Sequence, residues 1–313
     1  MTKIDQEEVK NNVFDIQIKN ITIAGAGTLG AQVAWQAAFK GFDVIVYGPS
    51  DKGLNRCRNA HKEFATLFIK TRGASQKEID AANNRLNYTQ DLESAVKNAD
   101  FINESVPEDI QLKKDFYKKL AELAPERTIF TTNSSTMLPS QYAQETGRPD
   151  KFLALHFANE IWEANVAEIM GHADTDPRVF NRVVELAKQI GMVPIPIHKE
   201  QHGYVLNSLL MPLLGAAGNL MFSGVADVEN IDKTWMIATG ARKGPFGIMD
   251  MVGMQTMYNV MKIAALKSKK KPLMDRANMI KELFIDQGKM GVSTGEGFYK
   301  YPNPRYEAPD FLK

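Results

Sequence analysis

The sequence contains only one cysteine, Cys57, among its 313 residues. No intramolecular disulfide can form, which is typical of proteins from a reducing compartment. The five histidines form no cluster with cysteine, so nothing in the sequence indicates a structural zinc site. We therefore expect a cytoplasmic protein with no metal.

Long apolar segments and an excess of one charge are also missing. No stretch reaches the roughly 18 apolar residues that a membrane-spanning helix needs. The N-terminus carries Asp5, Glu7, Glu8 and Asp15, which argues against a secretory signal or a transit peptide. The 38 basic and 37 acidic residues leave a net charge of +1. We therefore expect neither a nucleic-acid partner nor a membrane partner.

The first two thirds of the chain alternate short apolar runs with helical periodicity. Residues 20–25 are predicted to form a buried strand, residues 31–39 a helix and residues 44–47 a second strand, which makes a βαβ unit of about 28 residues. The alternation continues to a predicted strand at 192–197. It predicts an α/β fold with a doubly wound, mostly parallel sheet of the Rossmann type.

The pattern changes near residue 200, and helical periodicity dominates the rest of the chain. Eleven of the fifteen methionines lie in this last part, which indicates a different core. The predicted helices cover 203–222, 228–238, 247–265 and 273–287. The predicted divisions are an N-terminal arm at 1–18, a Rossmann domain at 19–199 and an all-helical domain at 200–313.

A glycine-rich turn, Gly25-Ala26-Gly27-Thr28-Leu29-Gly30, joins the first strand to its helix. Gly25 permits a tight turn, Gly27 lets a pyrophosphate approach the backbone, and Gly30 lets the helix pack closely on the sheet. The helix N-terminus then offers N–H groups to the phosphates. The alternative is a structural turn, but the strand–turn–helix context favours a dinucleotide site. The candidate cofactor-binding residues are Gly25, Gly27, Thr28, Leu29 and Gly30.

The second strand departs from the usual dinucleotide pattern. Its end carries Gly48 where an acidic residue normally binds the adenosine ribose. Asp51 is a candidate to reach the ribose from the next loop. The alternative is that Ser50, Lys52 or Arg56 holds a 2′-phosphate. We expect NAD as the cofactor, with NADP as the alternative.

Polar residues follow two later strands. The cluster Asn133-Ser134-Ser135-Thr136 follows a predicted strand, where it either binds a polar substrate group or caps a helix. His156 ends another apolar run, and Glu168 lies twelve residues later on the next predicted strand. A carboxylate beside an imidazole fixes its tautomer and raises its basicity, which suits proton transfer to a carbinol oxygen. A structural histidine is the alternative.

Taken in order, these motifs resemble the L-3-hydroxyacyl-CoA dehydrogenase family over residues 20–301. The other shared motifs are Gly203–Asn207, Gly244-Pro245-Phe246 with Asp250 and Gly253, and Thr294–Tyr299. The resemblance implies a Rossmann domain, a helical domain that forms a homodimer and binds substrate, and an NAD-dependent oxidoreductase of fatty acid metabolism. It implies His156 as the acid/base, Glu168 as its orienting partner, and Ser135 and Asn207 as donors to the substrate oxygens. It places Glu108, Lys113 and Asn159 near the nicotinamide half of the cofactor, and Ser135 is a further cofactor-binding candidate. The alternatives are surface charges of a helix for Glu108 and Lys113, and a polar residue on a helix face for Asn207.

Several positions depart from the family pattern and leave the substrate open. Glu160 stands where the family usually has proline, and Phe64 stands where it has a serine that contacts coenzyme A. We expect a 3-hydroxyacyl-CoA such as 3-hydroxybutyryl-CoA, with the free β-keto acids or esters of diketoreductase-like members as the alternative. A non-catalytic, crystallin-like nucleotide-binding protein is an alternative of another class. A 6-phosphogluconate-type dehydrogenase is disfavoured, because Asn207 has no lysine nearby.

Overall fold

The computed structural model describes residues 17–268 and 271–313. Most of the predicted N-terminal arm, residues 1–16, and the lysines at 269–270 lie outside the described residues. The chain divides between Val205 and Leu206 into two compact units. Within the described part of the chain, no helix is both long enough and apolar enough to cross a membrane.

The first unit is built on one sheet of eight strands in the order β3-β2-β1-β4-β5-β6-β7-β8. This order, with helices between the strands, confirms the predicted doubly wound fold. The strands are β1 Asn20–Ala24, β2 Asp43–Tyr47, β3 Leu86–Thr89, β4 Phe101–Glu104, β5 Ile129–Thr132, β6 Phe152–Phe157, β7 Val166–Met170 and β8 Val193–Ile197.

One strand pair breaks the parallel arrangement. β6 and β7 are antiparallel, whereas all the other neighbouring strands of this sheet are parallel. The chain between them, residues 158–165, is too short for the parallel crossover, which needs about a dozen residues or more. The short loop therefore reverses the chain and sets His156 directly opposite Glu168.

The helices of this unit begin and end at recognisable signals. Ser75 and Glu78 form a capping box at the start of α3, and Gly73, at a φ of 65°, ends α2. Asp109 caps α5 by accepting a hydrogen bond from the Leu112 N–H. The helices are α1 Thr28–Phe39, α2 Asp51–Arg72, α3 Gln76–Asn84, α4 Leu92–Val96, α5 Ile110–Leu123 and α6 Pro177–Gln189.

The second unit is helical, and its helices differ from the prediction at several places, two of which have a backbone cause. The helix expected at 247–265 is two helices, because Gly253 adopts a φ of 89° between them. The helix expected at 203–222 begins only at Leu206, since Gly203 and Tyr204 also have positive φ. The helices are α7 Leu206–Phe222, α8 Val228–Thr239, α9 Pro245–Val252, α10 Met254–Ser268 and α11 Lys271–Ile280, followed by a π-helical turn at Lys281–Ile285.

Two buried carboxylates hold the second unit together. Asp232 accepts hydrogen bonds from the N–H groups of Phe246 and Gly247 at the start of α9. Asp250 accepts them from the N–H groups of Phe298 and Tyr299. Burial raises the pKa of both carboxyls. The shared motifs around these residues therefore make contacts that stabilise the fold.

Candidate active site

The three glycines of the first turn each occupy a different environment. A Cβ on Gly25 would lie 2.3 Å from the Ser105 carbonyl oxygen, and a Cβ on Gly30 would lie 2.1 Å from the Gly25 oxygen. At Gly27 a Cβ would meet no described atom within 4 Å apart from its chain neighbours. Gly27 precedes α1 and supplies no side-chain cap, so no capping side chain occupies the first N–H groups of the helix. This open, donor-rich turn fits a dinucleotide pyrophosphate.

The position that usually carries the ribose acid is tightly packed. A Cβ on Gly48 would lie 3.0 Å from Ala26 Cβ and 3.0 Å from Leu54 Cδ2. Ser50 caps α2 through the Gly53 N–H. Asp51 is the first residue of α2, not a loop residue, and accepts a hydrogen bond from Gln90 at 2.8 Å. Two of the residues suggested for the ribose or its phosphate thus already have partners within the chain.

The hydroxyl cluster after β5 is organised by one carboxylate. Glu108 Oε1 accepts hydrogen bonds from Ser134 Oγ at 2.6 Å, the Ser135 N–H at 2.9 Å and both donors of Thr136. Leu138 is the residue that precedes the short 3-10 turn at 139–141, so the cluster does not cap a helix. The turn is instead shaped to present Ser135 toward β6.

Glu108 is itself held by a buried ion pair. Lys113 Nζ lies 2.6 Å from Glu104 Oε1 and 3.3 Å from Glu108 Oε2, and Lys113 and Glu104 are fully buried. Burial acts to raise the pKa of Glu108, but the hydrogen bond from Ser134 and the charge of Lys113 outweigh it and lower that pKa. The surface-charge alternative for Lys113 is therefore wrong.

A hydrogen-bonded chain runs from Ser135 through His156 to Glu168. His156 Nδ1 lies 2.9 Å from Glu168 Oε2, and Ser135 Oγ lies 3.1 Å from His156 Nε2. The carboxylate can only accept, so Nδ1 donates to it and Nε2 is left to exchange a proton. His156 and Glu168 are buried, so water competes little for these contacts. This arrangement suits general acid/base chemistry.

The end of β6 is attached to its neighbouring strands through Asn133. Its Oδ1 accepts a hydrogen bond from the Phe157 N–H at 3.1 Å, and its Nδ2 donates to Ser105 Oγ at 3.3 Å. Ser105 also lies against Gly25. The glycine turn and the histidine thus lie at the same carboxyl edge of the sheet, where ligands of such folds bind.

The loop after His156 is fixed by α1. Gln32 Oε1 accepts hydrogen bonds from the Glu160 N–H at 2.7 Å and the Ile161 N–H at 3.4 Å. Glu160 has a φ of 59°, which proline cannot adopt. The ring centroids of Trp162 and Phe64 lie 4.8 Å apart, with the ring planes tilted by 56°. The loop therefore has a shape that the family's usual proline would exclude.

The remaining predicted residues are placed as follows. Asn159 is exposed in the loop after β6, and Asn207 belongs to α7 in the second unit. Sequence reasoning missed Glu104 as the buried partner of Lys113, and it missed Tyr204, whose ring stacks on His156. A carboxylate at the end of an apolar strand was the available signal for Glu104. Among residues 17–268 and 271–313, no group of three or more metal-ligating side chains is gathered.

Comparisons with known proteins match both parts of the chain to one family. The model for the 3-hydroxyacyl-CoA dehydrogenase NAD-binding domain matches residues 20–201, and the model for the C-terminal domain of that family matches residues 203–301. The mitochondrial hydroxyacyl-coenzyme A dehydrogenase of Rattus norvegicus is 30% identical and covers 91% of this chain and 92% of its own length. A probable 3-hydroxybutyryl-CoA dehydrogenase of Bacillus subtilis is 28% identical, with coverages of 91% and 98%.

Two solved structures are similar along most of the chain. A diketoreductase, described as acting on dicarbonyl compounds, is 50% identical with a TM-score of 0.84, covering 91% of this chain and all of its own. The (S)-3-hydroxybutyryl-CoA dehydrogenase PaaH1 of Ralstonia eutropha is 26% identical with a TM-score of 0.80 and the same coverages. The chain belongs to the 3-hydroxyacyl-CoA dehydrogenase family of NAD-dependent oxidoreductases.

Proposed function

We propose that this enzyme interconverts an L-3-hydroxyacyl compound and its 3-keto form, with His156 as the acid/base. The observation that supports this most directly is the Ser135–His156–Glu168 chain at the same edge of the sheet as the glycine turn. NAD(H), when bound, accepts or supplies the hydride at C3. The turn from Gly25 to Gly30 is the proposed holder of its pyrophosphate.

The proton transfer follows from the hydrogen bonds. In the reducing direction, His156 starts as an imidazolium that the Glu168 carboxylate stabilises. Its Nε2 then gives a proton to the carbonyl oxygen of the substrate. Ser135 donates a hydrogen bond to the same oxygen, and Asn207 is proposed as a second donor. In the oxidising direction, neutral Nε2 removes the proton of the hydroxyl group.

Glu108, Lys113 and Asn159 are assigned to the nicotinamide side of the cofactor. Glu108 is half-exposed and holds the Ser135 turn, so it is the member of this group suited to a direct contact. Lys113 is buried, and we assign it the task of fixing Glu108. Asn159 is exposed next to the end of β6 and is proposed as a cofactor contact.

The proposed substrate is a 3-hydroxyacyl-CoA such as 3-hydroxybutyryl-CoA, in line with the family. The 50% identical diketoreductase and the aromatic pair of Phe64 and Trp162 favour a second candidate, a free β-keto acid or ester. Steady-state assays with acetoacetyl-CoA and ethyl acetoacetate separate the two. Saturable turnover of the thioester supports the first candidate. Turnover of the ester alone supports the second, and turnover of neither rejects both.

For the cofactor we propose NAD in preference to NADP. Gly48 removes the acid that would repel a 2′-phosphate, but Ser50 is already used as a helix cap. Titration with NADH and NADPH, followed by quenching of protein fluorescence, tests this choice. A lower dissociation constant for NADPH would show that Gly48 has changed the preference.

We also propose the domain roles. Residues 19–199 form the dinucleotide-binding domain after an arm at 1–18, and residues 200–313 form the helical domain that binds substrate and pairs in a homodimer. Six large apolar residues of the second unit are more than half exposed: Leu209, Val225, Ile237, Ile263, Leu266 and Leu283. Light scattering after gel filtration measures the mass, and a monomer at micromolar concentration would contradict the dimer.

A cytoplasmic location completes the proposal. Its support is Cys57, the single cysteine of the sequence, which is buried and unpaired. Burial raises the pKa of its thiol to about 12, so it has little of the reactive thiolate form. Fractionation of the source cells with an antibody to the chain tests the location.

A further inference from the structure

Tyr204 contacts the candidate acid/base directly. It lies within the shared motif Gly203–Asn207, but the proposed mechanism gives it no role. Its ring centroid lies 4.5 Å from that of His156, and the two ring planes are 21° apart. Both side chains are almost fully buried. The two edges of the imidazole are held by Ser135 and Glu168, and Tyr204 covers one face.

The backbone of Tyr204 is in an unusual conformation. Its φ is 55°, in the left-handed region that a residue with a large side chain rarely adopts. The next residue, Val205, donates its N–H to Glu168 Oε1 at 2.9 Å. The same backbone turn therefore aims the aromatic ring at His156 and a peptide N–H at Glu168. Strained backbone of this kind persists where the surrounding contacts determine it, and such places are frequent at functional sites.

An aromatic face over an imidazole affects its protonated form. The negative face of the ring attracts a cation within about 6 Å, and the attraction is stronger where water is excluded. Glu168 on β7 and Tyr204 contact the imidazole itself. Two further titratable groups contact the turn that carries Ser135: Glu108 before α5 and His202 in the segment after β8. Glu108 acts through the Ser135 turn, and His202 Nδ1 contacts the Thr136 carbonyl oxygen at 2.9 Å.

We propose that Tyr204 is a positioning residue for His156: its ring fixes the imidazole plane and stabilises the imidazolium, and its left-handed backbone aims the Val205 N–H at Glu168. This inference rests on the proposed acid/base role of His156 for its effect on catalysis. Its effect on the protonation of His156 is independent of any substrate.

The test compares Tyr204→Leu with Tyr204→Phe. Leucine keeps the site apolar but removes the aromatic face, whereas phenylalanine keeps that face and removes only the hydroxyl. The ¹³Cε1 signals of labelled histidine are titrated by NMR, and His156→Gln assigns the signal of residue 156. Tyr204→Met is the second ring-free variant in case the leucine variant does not fold.

We expect the His156 midpoint to move to lower pH by about half to one unit in Tyr204→Leu and to stay at the wild-type value in Tyr204→Phe. The midpoint of kcat/KM against pH should move in the same direction, because the imidazolium loses its stabilising neighbour. The KM for NADH should change less than kcat.

Two results would overturn the inference. One is an unchanged midpoint in the ring-free variants, and the other is an equal shift in Tyr204→Phe, which would point to the hydroxyl. If the wild type turned over no 3-keto substrate, the proposed function would fail, and the NMR titration would still decide the role of Tyr204.

Discussion

Lys113 Nζ lies 2.6 Å from Glu104 Oε1, and both side chains are buried at the carboxyl end of β4. The carboxylate also accepts hydrogen bonds from Tyr117 and Thr132. The pair therefore connects the sheet to α5 and supports Glu108, which shapes the Ser135 turn. Removing one charge would leave the other buried without its partner.

Lys113→Met is expected to lower the free energy of unfolding by about 3–5 kcal/mol, because it leaves the Glu104 carboxylate uncompensated. Urea denaturation followed by circular dichroism measures the loss. Lys118→Met is the matched control on the exposed face of the same helix and should change little. The double variant Glu104→Gln with Lys113→Met should regain part of the loss. Equal stability of Lys113→Met and Lys118→Met would contradict a buried ion pair.

His156→Ala is expected to lower kcat by at least about 100-fold, since general acid/base catalysis contributes that much or more. Steady-state kinetics with NADH and the better of the two keto substrates measures the effect. Glu168→Gln should also lower kcat, because it removes the charge that stabilises the imidazolium. His198→Ala, an exposed histidine after β8, is the control. Unchanged turnover in His156→Ala would remove His156 from the mechanism.

Glu160→Pro introduces the residue that the family usually has at this position, and it is expected to lower the free energy of unfolding of this protein. Proline cannot adopt a φ of 59° and has no N–H for Gln32, so we expect a loss of about 2 kcal/mol or more. Glu160→Gly, which accepts the left-handed backbone, should stay within about 1 kcal/mol of the wild type. Urea denaturation compares the two. If the proline variant were the more stable, the loop would have a different backbone in solution.

Asp250→Asn is expected to destabilise the protein by about 1–3 kcal/mol. Both carboxylate oxygens accept hydrogen bonds, and an amide would turn its own donors toward the Phe298 or Tyr299 N–H. Thermal unfolding measures the change. Asp286→Asn, at an exposed position of the same unit, is the control. A similar melting temperature for both variants would mean that Asp250 does not hold the C-terminal segment.

Protonation of the buried His61 is expected to make the folded protein less stable at acidic pH. Burial lowers its pKa from 6.5 to about 4, with its Nε2 2.9 Å from the Ala31 carbonyl oxygen and its Nδ1 2.6 Å from Tyr88 Oη. Between these values the unfolded chain binds a proton that the native protein does not. Stability should therefore fall as the pH drops from 6.5 to 4, by up to about 3 kcal/mol from this residue.

Urea denaturation at several pH values in this window tests the His61 prediction. His61→Gln should flatten the dependence on pH, because glutamine does not titrate. His198→Gln, at an exposed position, should retain the wild-type slope. A wild-type slope in His61→Gln would assign the acid sensitivity to other groups.

The architecture could be predicted from the sequence alone, because buried strands and tight turns produce recognisable local patterns of apolar residues and glycines. Apolar runs and the spacing of Gly25, Gly27 and Gly30 predicted the doubly wound sheet and its glycine turn, and the order of motifs identified the family. Helix ends were less predictable. Gly253 divides a predicted helix, and the five-residue α4 is too short to show a period.

Only the tertiary structure decided how the side chains of the site meet. Glu168 lies opposite His156 because a short loop makes β6 and β7 antiparallel. The alternation of residues within either strand does not predict this register. Lys113 looked like a surface charge on a helix, yet its partner is on β4. Tyr204 and Glu160 adopt left-handed backbone that local preference opposes, where Val205 contacts Glu168 and Gln32 holds the Glu160 N–H. Local periodicity records which face is buried, whereas contacts between distant elements depend on register and packing that no single segment contains.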